Sequence, residues 1–305
     1  MPFIRAHRPA LFELAMGGVT ATVSSRGGAL VAADVDGVAI VEPTVTTHTG
    51  PGAAGLVLAP WVNRVEGACW EHDGIVHRLE VTEPATGHAI HGLLATRDLE
   101  LRERAPGRVV LGCLIDGAPG YPFRVDVEVA YRTSADGIRV DITAVNESAS
   151  AAPFAAGHHP YLRIGDVPTA ELVIRIDGDV ELDFDETCIP RGRRDVTGTA
   201  ADPRAGAVVG EGDRHTCYAA SAPTGSLAHR LEAPDGTRLE LRADAAMRWT
   251  QLYVAPALAT DEGPRRAIAV EPMSAPPNAL RTGESLAWIA PGQRWSAGFE
   301  IRLAR

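Results

Sequence analysis

Apolar and polar residues alternate with a period of two along much of the chain. The clearest run occupies residues 122–133, in which every second residue is large and apolar: Phe123, Val125, Val127, Val129 and Tyr131. Because successive side chains of a β-strand point to opposite faces, this run predicts a strand with one buried face. Residues 134–137 then carry turn chemistry and the alternation resumes at Ile138, so we predict an antiparallel hairpin here.

The same pattern recurs through the rest of the chain, interrupted by clusters of Gly, Pro and Asp, whereas helical periodicity is scarce. Many short strands with turn signals at intervals of about 8 to 12 residues favour a large antiparallel β-sandwich or barrel. No low-complexity linker divides the chain, so we predict one all-β domain over residues 1–305. The further predicted strands are 17–24, 37–42, 74–82, 97–104, 107–115, 170–176, 215–221, 227–233, 239–243, 247–254, 266–273 and 295–303.

The charge of the chain limits the partners that it is expected to bind. There are 29 Lys+Arg residues against 39 Asp+Glu residues, a formal net charge of −10, and every basic residue is Arg. A chain without a basic field does not attract phosphate backbones or anionic lipid, so neither nucleic acid nor a membrane is expected as a partner. A neutral small molecule fits this charge balance better.

The sequence does not predict secretion or membrane insertion. Arg5, His7, Arg8 and Glu13 interrupt the apolar N-terminal segment, so no signal peptide is expected. No run approaches the length of about 18 apolar residues that spans a bilayer. The four cysteines form no C-x-x-C pair and no dense disulfide framework, which favours reduced thiols. We therefore expect a cytoplasmic protein, as a monomer or a homodimer.

Residues 50–55 match the dinucleotide-binding pattern G-x-G-x-x-G, and Asp73 follows at a suitable distance. That pattern needs a helix whose N-terminus receives the pyrophosphate. Residues 56–60 instead have the composition of a strand, and Pro60 would end a helix. A nucleotide site is therefore not expected.

Two close pairs of histidines raise the question of a metal site. His88 and His91 are three residues apart, and His158 and His159 are adjacent. Side chains at these spacings point to opposite faces of a strand, so neither pair can chelate a metal from a regular strand, and no metal is expected. Six other histidines are interpreted as hydrogen-bonded structural residues: His7, His48, His72, His77, His215 and His229.

Four segments place polar side chains among residues suited to turns and close packing. Arg64 follows an apolar run directly, where a guanidinium can point into a cleft. Pro160 disfavours a helical conformation at His159, so the position of that imidazole is constrained. The four segments are residues 59–67, 88–93, 157–162 and 267–273.

The last of these segments ends in a single acid, Glu271. Alternation places Ile268 and Val270 on one face of the strand, and Ala269 and Glu271 on the other, so the carboxylate projects over a surface with little bulk. A lone acid after four apolar residues is costly to desolvate without partners, which indicates a functional group.

Five short motifs follow one another along the chain: Pro60-Trp61-x-Asn63-Arg64-Val65, His91-Gly92-Leu93, Tyr121-Pro122-Phe123, His159-Pro160-Tyr161-Leu162 and Val270-Glu271-Pro272-Met273. In this order they are similar to the motifs of the aldose 1-epimerases, or galactose mutarotase-like proteins, and the resemblance extends from residue 15 to the C-terminal end. It implies a large antiparallel β-sandwich with its active site in an open cleft on one sheet, a sugar as substrate and no cofactor.

The resemblance also implies roles for single residues. Glu271 matches the catalytic base of the family and His159 its catalytic acid. The sugar-binding positions fall on Arg64, His91 and Asp213, and we interpret Asn63 as a positioning residue. The chain departs from the family pattern in two places, because many members have Asn where His158 stands and an aromatic residue soon after Leu93. These departures concern sugar preference more than chemistry.

Interconversion of α and β anomers needs one base and one acid. The base takes the proton of the anomeric hydroxyl while the acid protonates the ring oxygen, and the roles reverse when the ring closes. A Glu with a pKa of about 4.3 is ionised at neutral pH, and a His with a pKa of about 6.5 can be held protonated by nearby carboxylates. Trp61 and Trp249 are candidate stacking surfaces for the sugar.

Three other functions remain open. A glycoside hydrolase needs two facing carboxylates about 5 to 5.5 Å or about 6.5 to 9.5 Å apart, and Asp185 with Glu186 is the candidate pair. A hexose-phosphate 1-epimerase of the same fold would clamp its phosphate with adjacent arginines, either Arg193-Arg194 or Arg265-Arg266. A non-catalytic module would bind a sugar without accelerating anomer exchange.

Overall fold

Antiparallel strands make up most of the protein, as the alternating pattern predicts. The structure, a computed structural model, describes residues 8–44, 51–223 and 225–304. Its strands are β1 (Leu11–Met16), β2 (Val19–Ser24), β3 (Leu30–Val35), β4 (Val38–Val41), β5 (Val57–Leu58), β6 (Arg64–Val65), β7 (Cys69–His72), β8 (Ile75–Arg78), β9 (Ala89–Ile90), β10 (Glu100–Ala105), β11 (Arg108–Ala118), β12 (Tyr121–Thr133), β13 (Gly137–Asn146), β14 (Ala152–Phe154), β15 (Gly157–His158), β16 (Tyr161–Leu162), β17 (Val173–Arg175), β18 (Val180–Phe184), β19 (Pro190–Asp195), β20 (Ala207–Val208), β21 (His215–Ala219), β22 (Leu227–Glu232), β23 (Arg238–Ala243), β24 (Trp249–Thr260), β25 (Gly263–Met273), β26 (Ala287–Ile289) and β27 (Arg294–Ala304).

Helical structure is short in the described ranges. It consists of one α-helical turn, α1 (Ala279–Thr282), and of 3-10 segments at Pro51–Ala53, Glu66–Ala68, Thr169–Glu171 and Pro203–Ala205. No helix in this part of the chain has the length and apolar character needed to cross a bilayer.

Two large sheets contain most of the strands. The first has twelve strands in the order β1-β2-β3-β4-β16-β25-β24-β21-β18-β19, with β15 joined to β25 and to β5. The second has nine, in the order β10-β11-β12-β13-β27-β23-β22-β17-β20. The central pairs β12–β13, β13–β27 and β24–β25 are antiparallel over most of their length.

The two sheets pack face to face around a shared apolar core. In β12 every second residue is buried, and in β13 the buried residues alternate in the same way. One hydrophobic cluster joins Val23 and Val35 of the first sheet to Val129 and Ile142 of the second. The predicted all-β antiparallel sandwich is therefore confirmed.

Several predicted strands differ in extent from those observed. Strand β8 ends at Arg78, so the second half of the prediction at 74–82 belongs to a loop. The prediction at 170–176 includes a 3-10 turn before β17. In the segment 50–55, Gly50 lies outside the described residues, and the chain continues into strand β5, without the helix that a dinucleotide site needs. His7 and His48 also lie outside the described residues.

Candidate active site

A cleft of about 1000 Å³ is lined by side chains from the twelve-stranded sheet, from the short β6–β9 pair and from the end of β11 and nearby loops. All of the site residues predicted from the sequence line it except Asp213: Asn63, Arg64, His91, His159 and Glu271. They come from segments far apart in the chain, and the fold brings them together.

Glu271 lies near the end of β25, on the face of the sheet that forms the cleft floor. Glu271 lies opposite Gln251 of β24. Two residues earlier in β25, Ala269 lies opposite Tyr253 of β24. Residues opposite one another across antiparallel strands share a face, so all four side chains project to the same side. The small Ala269 beside Glu271 is the arrangement that the alternation predicted.

The imidazole of His159 contacts the carboxylate of Glu271 directly. His159 Nε2 lies 3.2 Å from Glu271 Oε1, and the two side chains are only 5% and 2% exposed. Burial raises the pKa of Glu271 well above its usual range, while the charge of Arg64 opposes that rise. Burial also lowers the pKa of His159 to about 4. Both shifts disfavour an ion pair, so a carboxylic acid facing a neutral imidazole is the favoured state without ligand.

The segment before His159 is held closely against the sheet. Gly157 pairs with Met273 and with Leu58, and a Cβ atom there would lie 2.9 Å from the carbonyl oxygen of Pro272. Glycine at this position therefore permits the close approach that brings His159 beside Glu271. The His159 amide donates a 3.0 Å hydrogen bond to the carbonyl of Leu56.

Arg64 is held in the cleft by a carboxylate that the sequence analysis did not single out. Its Nε and Nη2 each donate a 2.7 Å hydrogen bond to Glu83. Thr86 donates a short hydrogen bond to the same carboxylate. These hydrogen bonds and the charge of Arg64 lower the pKa of Glu83 despite its burial, so Glu83 remains ionised.

The backbone around Asn63 joins two of the site segments. Asn63 has a φ of 49°, its side-chain oxygen accepts a 2.8 Å hydrogen bond from the Arg64 amide, and its carbonyl accepts one from the His91 amide. His91 also has a positive φ, and a Cβ atom on Gly92 would lie 2.1 Å from the carbonyl oxygen of Ala59. This explains why glycine follows His91, and it agrees with Asn63 as a positioning residue.

Four buried polar atoms of the cleft residues have no protein hydrogen-bond partner among the described residues. They are Trp61 Nε1, His91 Nδ1, His159 Nδ1 and Glu271 Oε2. A buried polar atom without a partner costs about 1 to 3 kcal/mol. A ligand that offers several hydroxyl groups is suited to satisfy such atoms. Trp61 is among the residues that line the cleft, whereas Trp249 is buried outside it and donates to Ser285.

The structure places Asp213 away from the other predicted site residues. Asp213 is exposed, precedes the first residue of β21 and does not line the cleft. His215, which the sequence suggested to be structural, does line it, beside Tyr253 of the neighbouring strand. Glu83, His215 and Tyr253 are thus cleft residues that sequence reasoning missed. The predicted strand at 215–221 was the one feature of the sequence that could have placed His215 on a sheet face.

The residues behind the alternative functions have other partners. Asp185 accepts hydrogen bonds from the backbone of Thr187 and Ile189, and Glu186 is exposed. The predicted arginine pairs form ion pairs or bind carbonyls at the surface, as in Arg193 with Glu284. None of the residues proposed for those functions lines the cleft: Asp185, Glu186, Arg193, Arg194, Arg265 and Arg266.

Comparisons with known proteins agree with the fold. The model of the family described as aldose 1-epimerase matches residues 10–302. The chain is 29% identical over 296 residues to the uncharacterized protein YihR of Escherichia coli K12, covering 95% of this chain and 92% of YihR. It resembles the structure of the GalM/aldose epimerase homologue from C. elegans, with a TM-score of 0.85, 18% identity and coverage of 97% and 99% of the two chains. For galactose 1-epimerase from Lactobacillus acidophilus NCFM the TM-score is 0.80, with 18% identity and coverage of 96% and 94%.

Proposed function

Because the chain belongs to the aldose 1-epimerase family, we propose that it interconverts the α and β anomers of an aldose. The observation that carries the proposal is the contact of 3.2 Å between His159 and Glu271, two buried titratable groups. They lie in a cleft where several buried polar atoms have no protein partner among the described residues. A neutral polyhydroxylated ligand also suits a chain with a net charge of −10.

The close spacing of the pair suits ring opening at one carbon. The anomeric hydroxyl oxygen and the ring oxygen are both bonded to C1, so two groups that lie side by side can reach both. Glu271 takes the hydroxyl proton while His159 protonates the ring oxygen, and the C1–O5 bond breaks to give the aldehyde. After rotation about C1–C2 the ring closes, His159 takes a proton back and Glu271 returns its own to O1.

Burial makes this pair share one ionisable proton. A carboxylic acid with a neutral imidazole, and a carboxylate with an imidazolium, differ only by a transfer between Glu271 and His159. The charge of Arg64 opposes the rise in the pKa of Glu271 that burial causes, and so reduces the cost of reaching the second state, in which Glu271 is the base. Each positioned proton transfer contributes about 10² to 10⁴ in rate. Such a pair is inactive when it gains a second proton or loses its only one, which predicts a bell-shaped pH profile.

The remaining hydroxyls of the sugar are assigned to the groups around the pair. Arg64 presents a guanidinium held in place by Glu83, and His91 has a buried ring nitrogen that no other described residue bonds. Burial, together with the charges of His159 and Arg64, lowers the pKa of His91 well below its usual value. A neutral His91 can donate to one hydroxyl or accept from it.

Polarimetry of freshly dissolved α-glucose and α-galactose tests the proposal. The wild-type chain is expected to speed the approach to anomeric equilibrium, and the Glu271→Gln and His159→Asn variants to lose most of that effect while remaining folded. Full activity in either variant would overturn the assignment of that residue. Sugar binding without faster anomer exchange would favour a non-catalytic module, and release of reducing ends from oligosaccharides would favour a hydrolase.

A further inference from the structure

His215 lies in the cleft on the opposite side of Glu271 from His159. In register it faces Tyr253, which in turn faces Ala269, so one row of side chains crosses strands β21, β24 and β25. Two strand spacings of about 4.8 Å therefore separate the backbones of β21 and β25. His159 approaches Glu271 from the segment between β15 and β16, which pair with β25 along its other edge.

The imidazole of His215 is fixed by two aromatic rings and faces the cleft. Its ring centroid lies 5.2 Å from that of Phe184 and 6.0 Å from that of Tyr253. Within the described residues neither ring nitrogen has a hydrogen bond to another residue. Burial and the charge of Arg64 lower the pKa of His215 to about 4. A neutral imidazole can accept one hydrogen bond and donate another, which is what a sugar hydroxyl requires.

We propose that His215 is a specificity-determining residue that binds one sugar hydroxyl remote from the anomeric carbon. A pyranose whose C1 lies above the His159–Glu271 pair extends over β24 toward His215, because the cleft continues in that direction along the same face of the sheet. The aromatic neighbours restrict the imidazole to a narrow range of positions, so it favours a hydroxyl of one position and stereochemistry. This inference rests on the proposed function.

Singly deoxygenated sugars provide the test. Anomer exchange is measured by exchange NMR for glucose, galactose and their 2-, 3-, 4- and 6-deoxy forms, with the wild-type chain and with His215→Phe and His215→Gln. In the wild-type chain one deoxy sugar is expected to lose about tenfold in kcat/KM, the loss of one neutral hydrogen bond. His215→Phe is expected to raise KM for the parent sugar about tenfold with little change in kcat, and to add no further loss for that one deoxy sugar.

The variants separate binding from folding. Phenylalanine keeps an aromatic ring between Phe184 and Tyr253 and removes both ring nitrogens, whereas glutamine retains a donor and an acceptor and is expected to recover part of the affinity. His77→Phe makes the same chemical change on β8, outside the cleft, and serves as the control. An active wild type whose KM is unchanged in both His215 variants would overturn this inference alone. A wild type that accelerates no aldose would overturn the proposed function.

Discussion

His158 and His159 are adjacent in the chain and serve two different regions of the molecule. His158 points between the sheets, where its Nε2 lies 3.2 Å from the hydroxyl of Tyr131 on the opposite sheet. Tyr131 also donates a short hydrogen bond to the carbonyl of Gly28. His159 points to the other side of the sheet and contacts Glu271 in the cleft.

Burial does not distinguish the two histidines. Their side chains are almost fully enclosed, and burial lowers the pKa of His158 to about 3 and that of His159 to about 4. The difference lies in the partner, because Tyr131 links His158 to a second sheet whereas Glu271 offers His159 a proton to share. A perturbed histidine pKa therefore does not by itself identify a catalytic group; the group that faces the imidazole and the position of both in the cleft are needed as well.

The largest effects are expected in the cleft. Glu271→Gln and His159→Asn are each predicted to lower kcat/KM by about 10² to 10⁴, since each removes one of the two proton transfers. His158→Asn, one residue away, is predicted to retain most of the activity because its side chain lies between the sheets. Polarimetry or exchange NMR gives the three values.

His158→Asn and His159→Asn are a matched pair, because the same substitution is made at two adjacent buried positions. Both variants lose one buried imidazole, so circular dichroism and unfolding in urea serve to separate loss of structure from loss of catalysis. An equal loss of kcat/KM in two folded variants would contradict the division of the two histidines between core and cleft.

A substitution between the two sheets is expected to lower the stability of the protein. Tyr131→Phe removes the hydroxyl that bonds His158 and Gly28, and leaves both groups buried without that partner. We expect the free energy of unfolding to fall by about 1 to 3 kcal/mol, measured in urea, with little change in KM. An unchanged free energy of unfolding would show that this hydrogen bond does not stabilise the sandwich.

Glu83→Gln should affect affinity more than stability. The amide cannot accept both hydrogen bonds of the Arg64 fork, so the guanidinium loses its fixed position in the cleft. KM is expected to rise about tenfold, with a smaller change in kcat. Thr86→Val, which removes only the outer hydrogen bond to Glu83, is the milder control. A larger fall in kcat than rise in KM for Glu83→Gln would place Glu83 in the chemical step.

The last prediction concerns the dependence of stability on pH. The pKa of His158 is about 3 in the folded chain and about 6.5 when unfolded, so the unfolded chain binds more protons between these values. Its contribution is complete above pH 6.5 and is lost as the pH falls toward 3, at about 1.4 kcal/mol per pH unit. When the free energy of unfolding is measured in urea from pH 7 to 4.5, it should depend less steeply on pH in His158→Asn than in the wild type, by this amount per pH unit. Parallel slopes would contradict the prediction.

The sequence predicted those parts of the site that lie in regular strands or next to proline and glycine. Alternation placed Ala269 and Glu271 on one face, and Pro160 constrained His159. Asp213 was assigned from the family resemblance, on its Asp and the strand that follows, yet β21 begins at His215, so Asp213 lies before the start of that strand. Whether residue 213 or residue 215 faces the cleft depends on where the pairing of β21 with β24 begins, which the alternation does not indicate.

Loop residues and edge strands left no such pattern. Glu83 lies in the loop between β8 and β9, where there is no periodicity, so its hydrogen bonds to Arg64 could not be foreseen. Strand β19, with the sequence PRGRRD, is almost fully exposed and is paired to β18 through its backbone. A strand without a buried face gives no hydrophobic signal, so the fold class was predictable whereas its edges were not.

A double-mutant cycle tests most directly whether Glu271 and His159 act as one proton-sharing pair. The values of kcat/KM for anomer exchange are measured for the wild type, for Glu271→Gln, for His159→Asn and for the double variant. If the two groups form one unit, kcat/KM of the double variant is little lower than that of the less active single variant, so the two losses do not add. Losses whose free energies add fully would show that the two residues act independently, and would contradict the account.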